Sequence, residues 1–217
     1  MTKEIVAFQG EKGAYSHLAC EEMFPKATIK TCATFEETFK MASEDENIKI
    51  MVPIENSLAG RVADIHYLLT KYKLQIYSEH FQNVEHNLLV KEGTELKDIK
   101  YVRSHVQAID QCQKIISKNK FKTIISADTA GSAKDLSTSN DKSIAAIASK
   151  LSAKIYNLKI LKSNIEDDTG NVTRFLIMGK KVNQPENVKN KKYITSCIFR
   201  LKSIPAALYK CLGGFAT

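Results

Sequence analysis

Short apolar runs alternate with amphipathic stretches along most of the chain. The apolar runs predict buried strands at 5–8, 48–53, 74–81, 87–90, 101–103, 123–125 and 173–178. Apolar residues at helical spacing predict helices at 16–23, from 35 onward, and at 62–72, 104–116, 130–136 and 144–155. Strands that alternate with helices predict an α/β fold, in which a mostly parallel sheet carries helices on both faces.

Hydroxyl side chains stand where three of these helices are expected to begin. Ser16 and Ser104 directly precede apolar helical faces. Thr34 opens a Thr-x-x-Glu capping box that ends at Glu37. We expect all three hydroxyls to act as N-caps, because a side-chain oxygen there accepts a hydrogen bond from a free backbone N–H.

The pattern changes after residue 180. Residues 181–192 are rich in lysine and asparagine and predict a linker, whereas 193–201 predict a strand and 205–215 a helix. One strand and one helix cannot close a core alone. The segment 193–217 is therefore expected to dock on the main body, to pair with another subunit, or to be the stump of a truncated domain.

Composition narrows the class of protein. The 217 residues are 43% apolar and 26% charged, which is typical of a globular protein of one domain or two small ones. No apolar run is long enough to span a membrane, and the N-terminus lacks a secretory signal pattern. Five scattered cysteines without a CxxC motif predict neither a zinc site nor a disulfide framework. We expect a cytoplasmic protein.

The net charge of +8 raises the possibility of nucleic-acid binding. However, only four of the 32 basic residues are arginine, and the lysines are scattered. A solvated lysine-rich surface explains the charge better, so no nucleic-acid partner is expected. The charge still favours the approach of a small anion.

Four polar segments follow expected strand ends or enter a strand, the places where α/β sheets bind ligands. They are residues 10–16, 53–60, 104–112 and 167–175. In the first, two glycines before a helix suit either an anion site or a tight turn. In the second, Glu55, Asn56 and Ser57 offer three polar groups where a helix cap needs only one, which favours a ligand site.

The other two segments carry amide, hydroxyl and guanidinium groups. Gln107 and Gln111 share a helix face, whereas Cys112 belongs to the core and His105 alone is more often structural. Strand alternation places Thr173 and Phe175 on one face and Arg174 on the other. Arg174 is expected either to bind a substrate carboxylate or to pair with Asp167 or Asp168, and the two options carry equal weight.

Several familiar catalytic motifs are missing from the sequence. It contains no Walker A loop, GxGxxG fingerprint, HExxH pair or nucleophile elbow. We therefore predict a polar cleft that works without a metal or a cofactor.

Taken together, the polar segments resemble the prephenate dehydratase family. Residues 55–57, 104–108, 128–134 and 171–175 read ENS, SHVQA, DTAGSAK and NVTRF, similar in order and spacing to the family's ENS, SHPQA, DTAGAAK and N-x-TRF motifs. The resemblance runs from residue 5 to about 178. It implies decarboxylating dehydration of prephenate to phenylpyruvate, carbon dioxide and water in phenylalanine biosynthesis, catalysed by a cofactor-independent carbon–oxygen lyase.

The resemblance also implies an architecture. The catalytic domain, 1–180, would have two lobes similar to a type II periplasmic binding protein, with the active site between them. Lobe 1 would take about 1–81 and 162–180, and lobe 2 about 82–161. Residues 193–217 resemble the first strand and helix of an ACT domain. The ESRP segment associated with phenylalanine binding is absent, so feedback inhibition is not expected. A homodimer or a larger oligomer is expected by the same resemblance.

By this resemblance, Thr173 is the essential catalytic group. We expect it to donate a hydrogen bond to the departing hydroxyl, with Glu55 or a water behind it as the proton source. The substrate-binding side chains are expected to be Asn56, Ser57, Ser104, His105, Gln107, Gln111, Thr129, Arg174 and Phe175. Val106 replaces the family's proline, and we expect only a small effect.

Three alternatives remain open from the sequence. An arogenate dehydratase performs the same chemistry on an amino-bearing substrate. A non-catalytic two-lobe protein would bind a small anion without turnover. A DNA-binding regulator with a similar sensor domain would carry an N-terminal helix-turn-helix, whereas this chain begins with a strand.

Overall fold

The computed structural model describes residues 4–181, 195 and 199–216. Its contacts divide the chain into two units, 1–183 and 184–217. The first unit contains two mixed β-sheets with helices packed against them, and the second contains one described helix.

The first sheet has the strand order β2-β1-β3-β11-β5, with the short β4 paired to β3. β1 pairs in parallel with β2 and β3, whereas β11 runs antiparallel to both β3 and β5. The strand bounds are β1 Ile5–Gln9, β2 Thr28–Cys32, β3 Ile48–Asn56, β4 Gly60–Arg61, β5 Gln75–Asn83 and β11 Val172–Gly179.

The second sheet has the order β10-β6-β9-β7-β8. β7 pairs in parallel with β8 and β9, and β6 runs antiparallel to β9 and β10. The bounds are β6 Asn87–Val90, β7 Tyr101–Ser104, β8 Lys122–Ile125, β9 Ile144–Ala148 and β10 Lys159–Lys162. The chain crosses to this sheet after β5 and returns after β10, so that two segments connect the lobes.

Helices cover both faces of each sheet. In the first lobe α2 and α3 pack on one face and α1 on the other; in the second, α4 and α5 pack on one face and α6 and α7 on the other. The bounds are α1 Tyr15–Met23, α2 Phe35–Glu44, α3 Ala63–Tyr72, α4 Val106–Asp110, α5 Gln113–Asn119, α6 Thr129–Thr138 and α7 Lys150–Ile155. Each lobe therefore has its own two-sided core.

Most predicted elements are confirmed, but the expectation of a mostly parallel sheet is wrong. In each sheet three strands pair in parallel, and one strand, β11 in the first and β6 in the second, runs antiparallel to both of its neighbours because it carries the chain across a lobe connection. The predicted helix at 144–155 is also wrong in its first half. Residues 144–148 form a buried strand, and the helix begins only after Ser149, whose side chain caps it. A short apolar run fits either element by its periodicity.

Two of the expected N-caps are wrong. Helix α1 begins one residue before Ser16 and its N-cap is Ala14, which has no side-chain hydrogen bond. Ser104 ends strand β7, and His105 is the N-cap of α4. Thr34 does cap α2 and accepts a hydrogen bond from the Glu37 N–H at 3.0 Å. The carboxylate of Glu37 accepts a hydrogen bond from the N–H of Ala33, rather than from that of Thr34 as a capping box would have it.

The second unit contains helix α8, Ala207–Ala216, close to the range predicted from the sequence. Its apolar side chains, which include Leu208, Leu212 and Phe215, are exposed. The predicted linker beyond residue 181, and residues 193–194 and 196–198 of the predicted strand, lie outside the described residues.

Candidate active site

A cleft of about 590 Å³ lies between the two lobes, at the carboxyl ends of their central strands. This volume is in the usual range for a small-molecule site. Its polar wall contains Tyr15, Asn56, His86, His105, Gln107, Gln111, Thr129, Asn171 and Thr173. Its apolar wall contains Phe35, Pro53, Val62, Val84 and Phe175.

Pairing between β3 and β11 decides which side chains enter the cleft. Asn56 lies opposite Thr173, and Glu55 lies opposite Arg174. Because successive side chains of a strand point to opposite faces, Asn56 and Thr173 face the cleft, whereas Glu55 and Arg174 face away from it. β3 bulges at Ile54, so that Pro53 is paired with Phe175 and both side chains line the cleft.

Arg174 is held by two glutamates on this opposite face. Its Nη1 lies 3.0 Å from Glu55 Oε1, and its Nη2 lies 2.7 Å from Glu79 Oε2. Hydrogen bonds to these two carboxylates raise the pKa of the guanidinium above its usual value. Neither Asp167 nor Asp168 is its partner; Asp167 accepts the backbone N–H of Lys114 at 3.0 Å, at the start of α5.

A chain of side-chain hydrogen bonds runs along the polar wall. The amide nitrogen of Asn56 donates to Thr173 Oγ1 at 2.9 Å and to Asn171 Oδ1 at 2.7 Å. Asn171 donates in turn to Gln111 Oε1 at 2.6 Å, and His86 Nε2 lies 2.9 Å from that same oxygen. The chain therefore links Thr173 in the first lobe to His86 at the lobe connection.

His86 and Tyr15 end this chain in a buried environment. The hydroxyl of Tyr15 lies 3.0 Å from His86 Nδ1 and 2.7 Å from the carbonyl oxygen of Glu85. Burial lowers the pKa of His86 and raises that of Tyr15, because each charged form would lose its hydration. Both side chains are therefore neutral at neutral pH.

The first turn of α1 supplies free backbone N–H groups to the cleft. Tyr15 and Ser16 line it, and their N–H groups precede the first hydrogen bond within the helix. Gly10 and Ala14 also line it, but their N–H groups are bonded to the carbonyl oxygens of Cys32 and Glu11. The N-cap Ala14 has no side-chain oxygen to satisfy the first N–H groups of the helix. Together with the helix dipole, these donors suit a carboxylate.

Contacts between the lobes hold this turn in place. Gly13 belongs to the first lobe, and its carbonyl oxygen accepts hydrogen bonds from the hydroxyls of Ser149 and Ser152 in the second, at 2.5 and 3.0 Å. Tyr156 donates to the carbonyl oxygen of Lys12 at 2.8 Å, and Lys134 pairs with Glu11 at 3.0 Å. The cleft is therefore closed along one side by direct lobe–lobe bonds.

Seven of the predicted site residues line the cleft. They are Asn56, His105, Gln107, Gln111, Thr129, Thr173 and Phe175. Their hydroxyl, amide and imidazole groups come from four separate segments of the chain, as the two-lobe arrangement requires.

Four predicted site residues do not line the cleft. Glu55 and Arg174 pair with each other on the far side of the sheet. Ser104 is fully buried and donates to the carbonyl oxygen of Ile147 at 2.7 Å. Ser57 accepts the N–H of Val172 at 2.9 Å and stabilises the turn before β11. In each case strand alternation or a local backbone partner turns the side chain away.

Sequence reasoning missed His86, Tyr15, Asn171 and Arg61 as cleft residues. Asn171 stands two residues before Thr173, so strand alternation already indicated that the two share a face. Nothing near His86 in the sequence marks it, because its neighbours in the cleft come from distant segments.

The described residues include no helix long and apolar enough to cross a membrane. Within the same residues, no cluster of three or more His, Cys, Asp or Glu side chains has the arrangement of a metal site.

Comparison with known protein families identifies the group to which this cleft belongs. The family model for prephenate dehydratase matches residues 6–183. The chain belongs to the prephenate dehydratase family. The prediction made from the four motifs is therefore confirmed, and so is the two-lobe α/β fold, which solved members of the family share.

Relatives support the same family over nearly the whole chain. A bifunctional N-acyl-homoserine lactone acylase/prephenate dehydratase from Komagataeibacter europaeus is 41% identical, over 99% of this chain and 76% of that protein. A chloroplastic arogenate dehydratase/prephenate dehydratase from Arabidopsis thaliana is 39% identical, over 99% of this chain and 54% of its own length. A prephenate dehydratase from Arthrobacter aurescens, solved in complex with L-Phe, matches with a TM-score of 0.82 and 26% identity, over 98% of this chain and 72% of that one.

Proposed function

We propose that the cleft catalyses the decarboxylating dehydration of prephenate to phenylpyruvate, carbon dioxide and water. One observation carries the proposal beyond family membership. Thr173 Oγ1 accepts a hydrogen bond from Asn56, which leaves the hydroxyl hydrogen of Thr173 free to donate into the cleft. A free donor is what a departing hydroxyl requires.

The reaction places modest demands on the protein. Loss of carbon dioxide and water from prephenate creates an aromatic ring, so aromatisation supplies the driving force and no electron sink is required. The protein has to hold the side-chain carboxylate, favour loss of the ring carboxylate and assist departure of the hydroxyl.

We assign the departing hydroxyl to Thr173. A threonine hydroxyl is too weak an acid to lose its proton unaided at neutral pH, so it acts as a hydrogen-bond donor or relay. Glu55, expected from the sequence to stand behind it, lies on the other face of the sheet and is bound to Arg174. A cleft water therefore remains as the proton source. Positioned proton transfer contributes roughly 10²- to 10⁴-fold in rate.

We assign the side-chain carboxylate to the first turn of α1, in place of Arg174. The uncapped N–H groups near Tyr15 and Ser16 face the cleft. Arg61 on β4 adds a positive charge to the same lining. The ring carboxylate would then lie towards the apolar wall at Phe175 and Val84, where weaker solvation favours its loss as neutral carbon dioxide.

Arogenate is a second candidate substrate, because one relative is named an arogenate dehydratase/prephenate dehydratase. The two substrates differ only in a keto or an amino group on the side chain. The charges of the cleft lining do not choose between them, since Arg61 would repel an added ammonium while Asp64 would attract it. Side-by-side turnover of both substrates decides this point.

The test of the proposal is incubation of the full chain with prephenate, followed by ultraviolet detection of phenylpyruvate. We expect turnover without any added metal or cofactor. Calorimetric binding of prephenate with no product formed would support a non-catalytic binding protein instead. The Thr173→Val variant serves as the matched control, because it keeps the shape of the side chain and removes the hydroxyl.

Further parts of the proposal concern organisation and location. We place lobe 1 at about 1–81 and 162–180 and lobe 2 at about 82–161. The membership of β1–β5 and β11 in one sheet and of β6–β10 in the other supports these bounds.

A homodimer or a larger oligomer follows from the family resemblance alone. A reducing, cytoplasmic setting agrees with the four cysteines that are free among the described residues.

A further inference from the structure

The hydrogen-bond chain along the cleft has a direction that the backbone fixes. The side-chain oxygen of Asn56 accepts the N–H groups of Leu58 and Ala59, at 3.0 and 2.8 Å. Because a backbone N–H only donates, this oxygen cannot exchange places with the amide nitrogen. The nitrogen of Asn56 therefore has to face Asn171 and Thr173.

This direction propagates through two further amides. Asn171 receives the hydrogen bond of Asn56 on its oxygen, so its nitrogen must be the atom 2.6 Å from Gln111. Gln111 therefore presents its oxygen to Asn171. That same oxygen lies 2.9 Å from Nε2 of His86. An oxygen that cannot donate requires a donor opposite it, so Nε2 of His86 carries a hydrogen.

Tyr15 lies beside the other ring nitrogen of His86, Nδ1. A neutral imidazole with its hydrogen on Nε2 has an unprotonated Nδ1, which accepts hydrogen bonds. The hydroxyl of Tyr15 has one hydrogen and two acceptors in reach, the carbonyl oxygen of Glu85 at 2.7 Å and Nδ1 of His86 at 3.0 Å, and the shorter contact is the one to Glu85. His86 is only 2% exposed, so water does not readily replace Tyr15 beside it. The bond that fixes the tautomer is therefore the one from Nε2 to Gln111.

The orientation of this hydrogen-bond chain leaves the amide nitrogen of Gln111 pointing into the cleft. Its side-chain oxygen receives hydrogen bonds from both His86 and Asn171. The amide nitrogen of Gln111 has no protein acceptor within the described part of the chain. Both of its hydrogens are therefore available to an oxygen atom of a ligand in the cleft that Gln111 lines.

We propose that His86, which donates a hydrogen bond from Nε2, is a positioning residue that orients Gln111 so that its amide group binds a carboxylate oxygen of the substrate. This role rests on the proposed dehydratase function for the identity of the substrate. The orientation itself does not rest on that function, because backbone donors set it.

The first experiment tests the orientation without turnover. Nitrogen-15 NMR of the histidine-labelled full chain distinguishes the two neutral tautomers by the shifts and couplings of their ring nitrogens. We expect His86 as the Nε2–H tautomer at neutral pH, assigned by its loss in His86→Gln. Observation of the Nδ1–H tautomer would overturn the inference, whether or not the protein turns over prephenate.

The second experiment uses two substitutions of different chemistry. His86→Leu removes the donor, whereas His86→Gln places an amide nitrogen near the position of Nε2. We expect His86→Leu to raise KM about tenfold with little change in kcat, which corresponds to one lost hydrogen bond. His86→Gln should keep KM within a few-fold of the parent. Equal losses in both variants, or a loss confined to kcat, would contradict the proposal.

A double-mutant cycle separates positioning from a general effect on the fold. If His86 acts through Gln111, His86→Leu has no further effect on KM in a Gln111→Leu background. Additive effects of the two substitutions would overturn the proposal. If the parent chain does not convert prephenate, the dehydratase function fails, while the tautomer measurement still decides the orientation.

Discussion

Asn56 and Thr173 face each other across the pairing of β3 and β11, with the Asn56 amide nitrogen 2.9 Å from Thr173 Oγ1. The hydroxyl of Thr173 thus accepts from the protein and keeps its own hydrogen for the cleft. The same pairing turns Glu55 and Arg174 to the opposite face. One strand register therefore separates the proposed catalytic hydroxyl from the carboxylate expected to assist it.

Replacing Thr173 with valine should abolish most turnover. The variant keeps the side-chain shape but loses the hydroxyl donor, so we expect kcat to fall roughly 10²- to 10⁴-fold. Substrate binding and the unfolding free energy should change little. Steady-state kinetics and urea unfolding check both statements. Thr173→Ser keeps the hydroxyl and should retain much more activity; near-normal turnover in the valine variant would remove Thr173 from the mechanism.

Asn56→Asp tests the direction of the hydrogen bond to Thr173. An aspartate still accepts the N–H groups of Leu58 and Ala59, but its second oxygen cannot donate to Thr173. The hydroxyl of Thr173 would instead turn to donate to the carboxylate and would be lost to the substrate. We expect a fall in kcat of about 10²-fold or more. The same change at the exposed Asn140 serves as the control for added negative charge and should leave kcat unchanged.

Glu55→Gln should preserve turnover. The carboxylate of Glu55 is half-exposed and bound to Arg174 on the face away from the cleft. Arg174 keeps its second partner, Glu79, at 2.7 Å. We expect kcat within a few-fold of the parent and a loss of stability of about 1 kcal/mol or less. A 100-fold fall in kcat would show that Glu55 takes part in the reaction.

Gly13→Ala should weaken the contact between the lobes. Gly13 has a φ of +94°, and an added Cβ would lie 2.5 Å from Ser152 Oγ and 2.9 Å from Ser152 Cα. Gly170 has a similar φ of +91° with nothing within 4 Å of the added atom, so Gly170→Ala measures the backbone strain alone. That strain costs about 1–3 kcal/mol. In urea unfolding we expect Gly13→Ala to lose more unfolding free energy than Gly170→Ala. Equal losses would show that Ser152 moves aside without cost.

Stability should fall as the pH is lowered below about 6.5. Burial lowers the pKa of both His17 and His86 from the ordinary value of 6.5. The unfolded chain therefore binds protons at a pH where the folded chain does not, so stability is complete above 6.5 and is lost as the pH falls towards the folded values. Urea unfolding between pH 8 and pH 5.5 measures the slope of the unfolding free energy against pH.

His86→Gln should flatten this slope, since it removes one of the two buried groups. His66 is exposed on α3 and supplies the control, because His66→Gln removes a histidine without removing a buried one. A slope that is the same in the parent and in His86→Gln would contradict the assignment of the pH dependence to His86.

The sequence determined the elements, the family and part of the cleft. Apolar periodicity located most strands and helices, because burial requires apolar side chains at intervals of 2 or 3.6 residues. Motif order identified the prephenate dehydratase family. Strand alternation correctly grouped Thr173 with Phe175 and separated Arg174 from both.

Only the tertiary structure decided which polar groups share the cleft and which way their hydrogens point. Glu55, Ser57, Ser104 and Arg174 stood beside true cleft residues in the sequence, yet each is turned to a different face or bound to a local partner. His86 carried no signal, because its partners are 25 or more residues away along the chain. Tyr15 lay in the segment 10–16, but its side-chain partners at 85 and 86 are distant in sequence. Contacts between distant segments depend on strand register and on the packing of the lobes, which local patterns do not encode.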